Sequence, residues 1–433
     1  MKIKYLIATL LTGTLVAGEV TNYLTLVDEK LQFNRPNSKD GINIFETYDQ
    51  EAPEFDGLVV KVGGHFTQQF QGLNHESGAT VPAGATSPVL DIGNGFNLAT
   101  ANLTLDAQLA DGIRMNLIAY LSSRHHSETW VKAGYLQIDR SPVDTPWLNS
   151  IMDHVSLRVG HMEINYGDMH FRRSDNANAL YNPFVGNLIM DAFATEIGAE
   201  VYGYAGSFFG MIGVTDGEIK GGVDKTDQRA PSIYGKAGFD QQINDDLRVR
   251  LTGSFYTTSE SINNTLYSGD RSGSRYYLVV EPPSASTSTN FTSGRFNPGF
   301  TDKVTSFVIN PFVKYGGLEL FGNLEWATGQ AGNATDSTDR TWSQYAGEIV
   351  YRFLEDEKVY CGIRYNHAQG ELVGQTVDAS IDRLQLATGW FINKYILLKA
   401  EYVIQEYKDF TDVTDLRHGG KFDGFMIEAV VGF

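Results

Sequence analysis

The chain ends in the stretch FMIEAVVGF, residues 425 to 433, and this stretch decides the fold. Phe425, Ile427, Ala429, Val431 and Phe433 place an apolar side chain at every second position, with Met426, Glu428 and Gly432 among the residues between. Successive residues of a strand point to opposite faces of a sheet. The stretch therefore predicts a strand with one apolar face and one more polar face, which is the pattern of a strand between lipid and a wetter interior.

The same alternation recurs along the whole chain. It predicts sixteen strands, near residues 57–71, 95–109, 112–124, 129–138, 154–164, 193–204, 206–215, 231–242, 247–258, 304–315, 317–328, 341–353, 358–369, 378–392, 395–407 and 421–433. Most connections alternate between tight turns and longer loops, which is typical of bacterial outer-membrane barrels. The longer inner connection, residues 139–153, favours a small helix over Trp147 to Met152. We predict an all-β fold, a transmembrane antiparallel β-barrel of about sixteen strands.

One apolar stretch does not fit this count. Arg275 to Glu281 lies inside the fifth outer loop, residues 259–303. A further strand there would break the parity of a single-chain barrel. We interpret the stretch as a hairpin or lid within the loop, and we expect the last strand to pair with the first, because closure is the way to satisfy both edges in lipid.

Charged residues are predicted to lie on one face of the strands. Ile396, Leu398 and Ala400 alternate with Lys399 and Glu401. A charged side chain on the lipid face costs roughly 2 to 4 kcal/mol at mid-membrane, so this segregation favours a membrane barrel over a soluble sandwich. The inward charges are nearly balanced, and we assign the pore wall to Arg114, Arg158, Arg248, Arg250, Arg364, Arg383, Glu325 and Glu348.

The N-terminal region predicts export. Lys2 and Lys4 precede an apolar run from Tyr5 to Leu15, and small residues follow up to Gly18. Residues 1–18 are therefore expected to form a Sec signal peptide that is removed from the mature protein. Residues 19–56 lack a long helical or strand period, so we expect a segment that either lies in the periplasm or enters the barrel as a plug. The barrel itself is predicted to span residues 57–433.

Composition excludes several classes of protein. The 433 residues include 45 glycines, 22 tyrosines and 25 phenylalanines but only 12 prolines, which favours one repetitive β architecture over several domains. Mean hydropathy is −0.23, and no long apolar segment follows the predicted signal, which argues against a helical membrane protein. The net charge of −18 argues against a nucleic-acid partner, whose phosphates would be repelled.

The C-terminal aromatic residue and the loop layout carry a resemblance. The ending at Phe433 resembles the insertion signal of outer-membrane barrels, and the chain resembles the sixteen-stranded porins of Gram-negative bacteria, more loosely the phosphate-selective porin-like group. The resemblance implies a third outer loop, residues 165–192, folded inward to narrow the channel. Its implied constriction residues are Asp168, His170, Arg172, Arg173 and Asp175.

Two interpretations of this loop stay open. Arg172 and Arg173 either project into the eyelet, or they pair with Asp168 and Asp175 to hold the loop folded. In both cases sixteen strands leave an aqueous interior unless something fills it. The predicted function is passive diffusion of ions and small hydrophilic solutes through the outer membrane, with a mild anion preference. The resemblance further implies contact with outer-membrane lipids and lipopolysaccharide, assembly by the barrel assembly machinery, and a homotrimer.

Other functions receive less support. A hatch-gated transporter of hydrophobic molecules, similar to the fatty-acid channels, would need an apolar interior in a narrower barrel. We expect His125, His126 and Glu128 to lie in an exposed loop and not to form a metal site, because adjacent strand histidines point to opposite faces and the loop offers no third ligand at a known spacing. Nothing joins Asp153, His154 and Ser156 as a catalytic set, so we predict no enzyme, no metal and no cofactor. A purely structural barrel would need a filled interior or a peptidoglycan-binding domain.

Overall fold

The computed structural model describes residues 31–47, 52–122, 129–217, 229–375 and 377–433. The predicted signal peptide and the short second outer loop, residues 123–128, lie outside the described residues. No described helix is long and apolar enough to cross a membrane. The described helix α1, Pro146–Met152, occupies the inner connection where the sequence predicts one.

In the part of the chain that the structure describes, seventeen strands form a single sheet in which every pairing is antiparallel. Their bounds are β1 Val59–Glu76, β2 Gly95–Phe96, β3 Thr100–Ala110, β4 Ile113–Ser122, β5 Thr129–Ile138, β6 Val155–Glu163, β7 Thr195–Ala205, β8 Phe208–Thr215, β9 Ser232–Gln242, β10 Leu247–Thr258, β11 Lys303–Tyr315, β12 Leu318–Gln330, β13 Arg340–Phe353, β14 Val359–Gly370, β15 Ala379–Asn393, β16 Ile396–Lys408 and β17 Lys421–Gly432. β2 is a two-residue addition beside β1, so the barrel wall has the predicted sixteen strands.

The wall closes through β1. This strand pairs with β3 along Val59 to Thr67 and with β17 along His65 to Glu76. The predicted pairing of the last strand with the first is confirmed, and closure leaves no edge of the wall unpaired. Arg275–Glu281 contains no strand, so the interpretation that it lies outside the barrel wall is confirmed and a β-hairpin there is wrong.

The two faces of the wall differ as predicted. Along β16, Leu398, Tyr402 and Ile404 are exposed, while Lys399 and Glu401 between them are buried. The outer surface therefore carries apolar side chains where a barrel meets lipid, and the charged side chains point inward. The described pore-wall residues follow this rule, since Arg114, Arg250, Arg364, Arg383, Glu325 and Glu348 are buried and Arg158 and Arg248 are partly buried.

Phe433 closes the ladder at the end of β17. Its backbone N–H donates to the carbonyl of Gly64 on β1 at 3.1 Å, and the N–H of Gly64 donates to the carbonyl of Phe433, also at 3.1 Å. Gly64 also allows the close approach of β3, because a Cβ there would lie 2.9 Å from the carbonyl oxygen of Asn102. The C-terminal residue thus joins the first strand to the last.

Removing Phe433 should greatly reduce assembly into the outer membrane, because the closing pair with Gly64 and the terminal aromatic side chain are both lost. Synthesis and export should be unchanged. Fractionation of cells and heat-modifiability on gels measure the outcome, with Asp409→Asn in an outer loop as a control that leaves the seam intact. A normal outer-membrane yield of the truncated protein would contradict this role of Phe433.

Candidate functional site: the barrel interior

The segment that joins β6 to β7, residues 164–194, crosses the interior of the barrel. Lys399 on β16 donates to the carbonyls of Ala179 at 3.0 Å, Asn182 at 3.2 Å and Phe184 at 3.0 Å. On the β1 side, the hydroxyl of Thr67 donates to the carbonyl of Ala177 at 2.7 Å. Wall side chains thus satisfy backbone groups of an irregular segment, which would otherwise be costly to bury.

Asp168 is the best-bound predicted constriction residue. Its carboxylate accepts from Arg250 at 2.8 and 2.9 Å, from Lys236 at 3.0 Å and from the Thr252 hydroxyl at 2.9 Å. Its backbone N–H donates to Asn310 at 2.8 Å. Burial alone would raise the pKa of Asp168, but the adjacent charges of Arg250 and Lys236 hold that pKa below its ordinary value. The carboxylate therefore stays ionised and fixes the start of the segment to the wall.

His170 follows Asp168 in a single 3₁₀ turn, Met169–Phe171. Its Nδ1 lies 3.1 Å from a carboxylate oxygen of Glu163, and its Nε2 lies 2.8 Å from the side-chain oxygen of Asn165. Burial lowers the pKa of His170, although the hydrogen bond to Glu163 acts in the opposite sense. The ring is thus held in place by two neighbours and borders the remaining cavity described below.

The two arginines pair with carboxylates other than the predicted ones. Arg172 lies 3.3 Å from both Glu319 on β12 and Glu348 on β13. Arg173 donates from Nε and Nη2 to Asp191 within the same segment, at 3.0 and 2.5 Å. Each arginine is only 2% exposed. The predicted pairing with Asp168 and Asp175 is therefore wrong, because these carboxylates are already bound by cations of the wall.

Asp175 is bound by Lys132, which is not among the predicted pore-wall residues. Lys132 projects inward from β5 and forms ion pairs with Asp175 and, at 3.5 Å, with Glu163. Alternation along β5 could have identified it, since Val131 is exposed and Lys132 is 5% exposed. Four of the five predicted constriction residues thus form ion pairs in which both partners are buried, and they are joined by a network rather than gathered in one open ring.

Most of the predicted pore wall holds this segment instead of facing water. Arg364 donates to the carbonyl of Gly186 at 2.7 Å and pairs with Glu348 at 2.7 Å. Arg383 donates to the carbonyl of Asn187 at 2.6 Å. On the opposite side, Glu325 accepts from Tyr166 at 3.1 Å. These charged wall side chains therefore bind the segment or its partners in the wall.

The fifth outer loop also enters the interior. Tyr276 donates to Glu401 at 2.7 Å, and Tyr267 donates to Glu325 at 2.9 Å. Arg275 lies 3.5 Å from Glu428 on β17. The stretch Arg275–Glu281, predicted as a hairpin or lid, thus fills space beside strands β16 and β17, and Tyr267 earlier in the loop contacts β12.

A cavity of about 200 Å³ remains on the side of β1 and β3 to β7. Its walls are mostly polar, and the charged residues among them are Arg35, Arg114, Lys132, Arg158, Arg173, Glu46, Asp106, Glu163 and Asp175. Arg114 donates to Gln137 at 2.9 Å, and Arg158 does so at 3.0 Å. Among the described residues, no carboxylate lies within 4.0 Å of the side-chain nitrogens of Arg35 or Arg114. These two guanidinium groups are therefore the least neutralised cations around the cavity.

Comparison with known proteins identifies the fold. No protein-family model and no curated protein matches the sequence. The anion-selective porin from Comamonas acidovorans matches with 13% identity over 87% of this chain and 100% of its own, at a TM-score of 0.52. The chain has the fold of outer-membrane porins. In-vitro folded OmpT of Vibrio cholerae, in its trimer form, matches with 12% identity over 87% of this chain and 100% of its own, at 0.50.

A third porin-like match is OprB of Pseudomonas putida, with 9% identity over 87% of this chain and 94% of its own, at a TM-score of 0.50. Identities this low describe the architecture of the wall and leave the chemistry of the interior to this chain's own residues. In this barrel the polar cavity lies between the wall, residues 34–47 and the first half of the segment 164–194.

Proposed function

We propose that the chain is an outer-membrane channel for passive diffusion of ions and small hydrophilic solutes. The observation that carries the proposal is the polar, charged cavity inside a closed barrel of sixteen strands. A barrel of this size is wide enough for an aqueous path, and the apolar outer face suits a lipid bilayer. A homotrimer in the outer membrane, surrounded by lipids and lipopolysaccharide, remains part of the proposal, as do Sec export and insertion by the barrel assembly machinery.

The polar lining favours hydrophilic solutes over the hydrophobic cargo of a hatch-gated transporter. Side chains of Asn102, Asn116, Gln137 and Asn165 offer hydrogen bonds along the cavity. Water and small polar solutes can exchange such hydrogen bonds, whereas an apolar solute would strand them unpaired. No step in this function requires a catalytic group.

The constriction is proposed to be built by residues 164–194, with Asp168, His170, Arg172, Arg173 and Asp175 as the residues that hold it closed against the wall. The mild anion preference is proposed to arise from Arg35 and Arg114, because they border the cavity and are less neutralised than the cations of the buried pairs. Charge in a narrow, poorly screened passage affects permeating ions more than charge on exposed loops does.

Replacing Arg114 with glutamine should shift the reversal potential in a salt gradient toward cation preference, because one cation at the cavity is removed while Asp106 nearby stays. The measurement is made on purified protein in a planar lipid bilayer. Arg140→Gln is the matched control, since Arg140 is exposed and pairs with Asp111 at 2.6 Å at a turn away from the cavity. An identical shift in both variants, or none in either, would remove Arg114 from the ion path, and an absence of current from all folded samples would refute the channel.

A further inference from the structure

Residues 31–47 cross the mouth of the barrel at the end where the short turns lie. We call them the crossing segment. At one side, Gln32 accepts from the backbone N–H of Gly112 at 2.7 Å and donates to Asp111 at 2.9 Å, in the turn between β3 and β4. On the far side, the N–H of Lys39 donates to the carbonyl of Lys394, between β15 and β16, at 2.7 Å.

The crossing segment then continues to a third part of the wall. Asn43 donates to Glu319 on β12 at 2.6 Å, and its carbonyl accepts from Arg248 on β10 at 2.9 Å. Glu46 lies 2.7 Å from Arg250 and 3.4 Å from Lys236. The carbonyl of Pro53 accepts from the side chain of Gln32 at 2.7 Å, so residue 53 lies beside the start of the crossing segment. With attachments to three parts of the wall, residues 31–47 span the opening.

The crossing segment also contacts the inward segment 164–194, on the side that faces the short turns. Arg35 donates to the carbonyl of Phe171 at 2.9 Å, and its guanidinium lies 3.7 Å from the centre of the Tyr181 ring. Tyr181 donates to the carbonyl of Pro36 at 2.5 Å. Phe45 packs between Phe171 and Phe312, with ring centres 5.6 and 5.4 Å away. The crossing segment and the inward segment 164–194 therefore pack directly against each other inside the barrel.

Release of the crossing segment would leave the charges of the wall paired. Arg250 would keep Asp168 at 2.8 Å and Asp240 at 2.9 Å. Lys236 would keep Asp168 at 3.0 Å. Glu46 would move from the interior into water, where a carboxylate is well solvated. The usual cost of breaking a buried ion pair, which is an uncompensated charge left behind, is largely avoided.

The strands of the wall pair with one another and not with the crossing segment. A backbone-to-backbone hydrogen bond joins Lys39 of the crossing segment to Lys394 in a turn of the wall. The attachments of Gln32 and Glu46 to the wall are made by side chains, which can exchange with water one by one.

From these contacts we infer that residues 31–47 act as a displaceable gate across the inner mouth of the channel, held shut by Glu46 on Arg250 and Lys236. The inference rests on the proposed function and adds regulation to it. In the closed state, passage is restricted to the cavity beside β1 and β3 to β7. In the open state, the space that residues 31–47 occupy beside the segment 164–194 becomes part of that path.

Single-channel recording in planar lipid bilayers tests the gate with the full chain, a variant lacking residues 31–47, and Glu46→Gln. The deletion should raise the conductance by about twofold or more, because it widens the narrow mouth. The Glu46→Gln variant should spend a larger fraction of time than the unaltered chain in a state with a similarly raised conductance. Glu54→Gln is the matched control, since Glu54 is exposed and lies outside the segment, and it should behave as the unaltered chain does.

The outcomes separate the gate from the channel. If all variants conduct and neither the deletion nor Glu46→Gln differs from the unaltered chain, the gate is refuted and the channel stands. If none conducts although each is folded, as judged by heat-modifiability, the proposed function and the gate both fall. If the deletion variant does not fold, the Glu46→Gln variant is the test. An unchanged conductance of this variant refutes the gate, and a more frequent high-conductance state supports it.

Discussion

Deleting residues 172–175 should enlarge the single-channel conductance by about twofold or more, because the shortened inward segment loses two of its attachments to the wall and fills less of the interior. Arg172 connects the segment to Glu319 and Glu348, and Asp175 connects it to Lys132. The measurement is a histogram of conductance steps in a planar bilayer.

The wall should survive this deletion. Glu319 keeps Arg352 at 2.7 Å, and Glu348 keeps Arg364 at 2.7 Å, so neither carboxylate is left unpaired. A matched control removes residues 411–414, an equally long exposed stretch of the loop between β16 and β17. Equal conductance of the two deletion variants would contradict a constriction by residues 164–194.

Replacing Asp168 with asparagine should have the largest effect on stability, about 3 kcal/mol, because it breaks a buried pair and leaves Lys236 without its closest carboxylate. The midpoint of heat-modifiability on gels measures the change in stability. Asp240→Asn is the control, since Asp240 binds the same Arg250 at 2.9 Å but is less buried, at 19% side-chain exposure. If Asp240→Asn lowered the stability as much as Asp168→Asn does, the deeper burial of Asp168 would not explain the effect.

The pKa of Asp168 sets the direction of the pH dependence of this pair. Its pKa is held below the ordinary value in the folded protein. The stability it contributes is therefore present above the unfolded pKa and is lost as the pH falls through the lower, folded value. Acidification to the ordinary range of an aspartate should leave the pairing of Asp168 with Arg250 and Lys236 intact.

Local periodicity was sufficient to predict the wall. Alternation alone placed Lys399 and Glu401 inside and Leu398 and Tyr402 outside, and parity rejected Arg275–Glu281 as a strand. These features depend on residues that are neighbours in sequence and on the two-residue period of a strand. They need no knowledge of what fills the interior.

Contacts between distant parts of the chain could not be predicted this way. The partner of Arg172 depends on which wall residues the segment reaches, and Glu319 is far from it in sequence. Glu46 and Arg35 lie in a region without a period, so nothing in their spacing indicated that they meet Arg250 and Phe171. The sequence places the charged side chains on the inner face of the wall correctly. Only the folded structure shows that these side chains bind the inserted segments.

The most direct test of the account is the single-channel current of the unaltered, purified chain in a planar lipid bilayer. A water-filled path beside β1 and β3 to β7 predicts stable, discrete conductance steps that are smaller than those of the variants lacking residues 31–47 or 172–175. Folded protein, verified by its shift on unheated gels, that passes no current in any of these three forms would contradict the account.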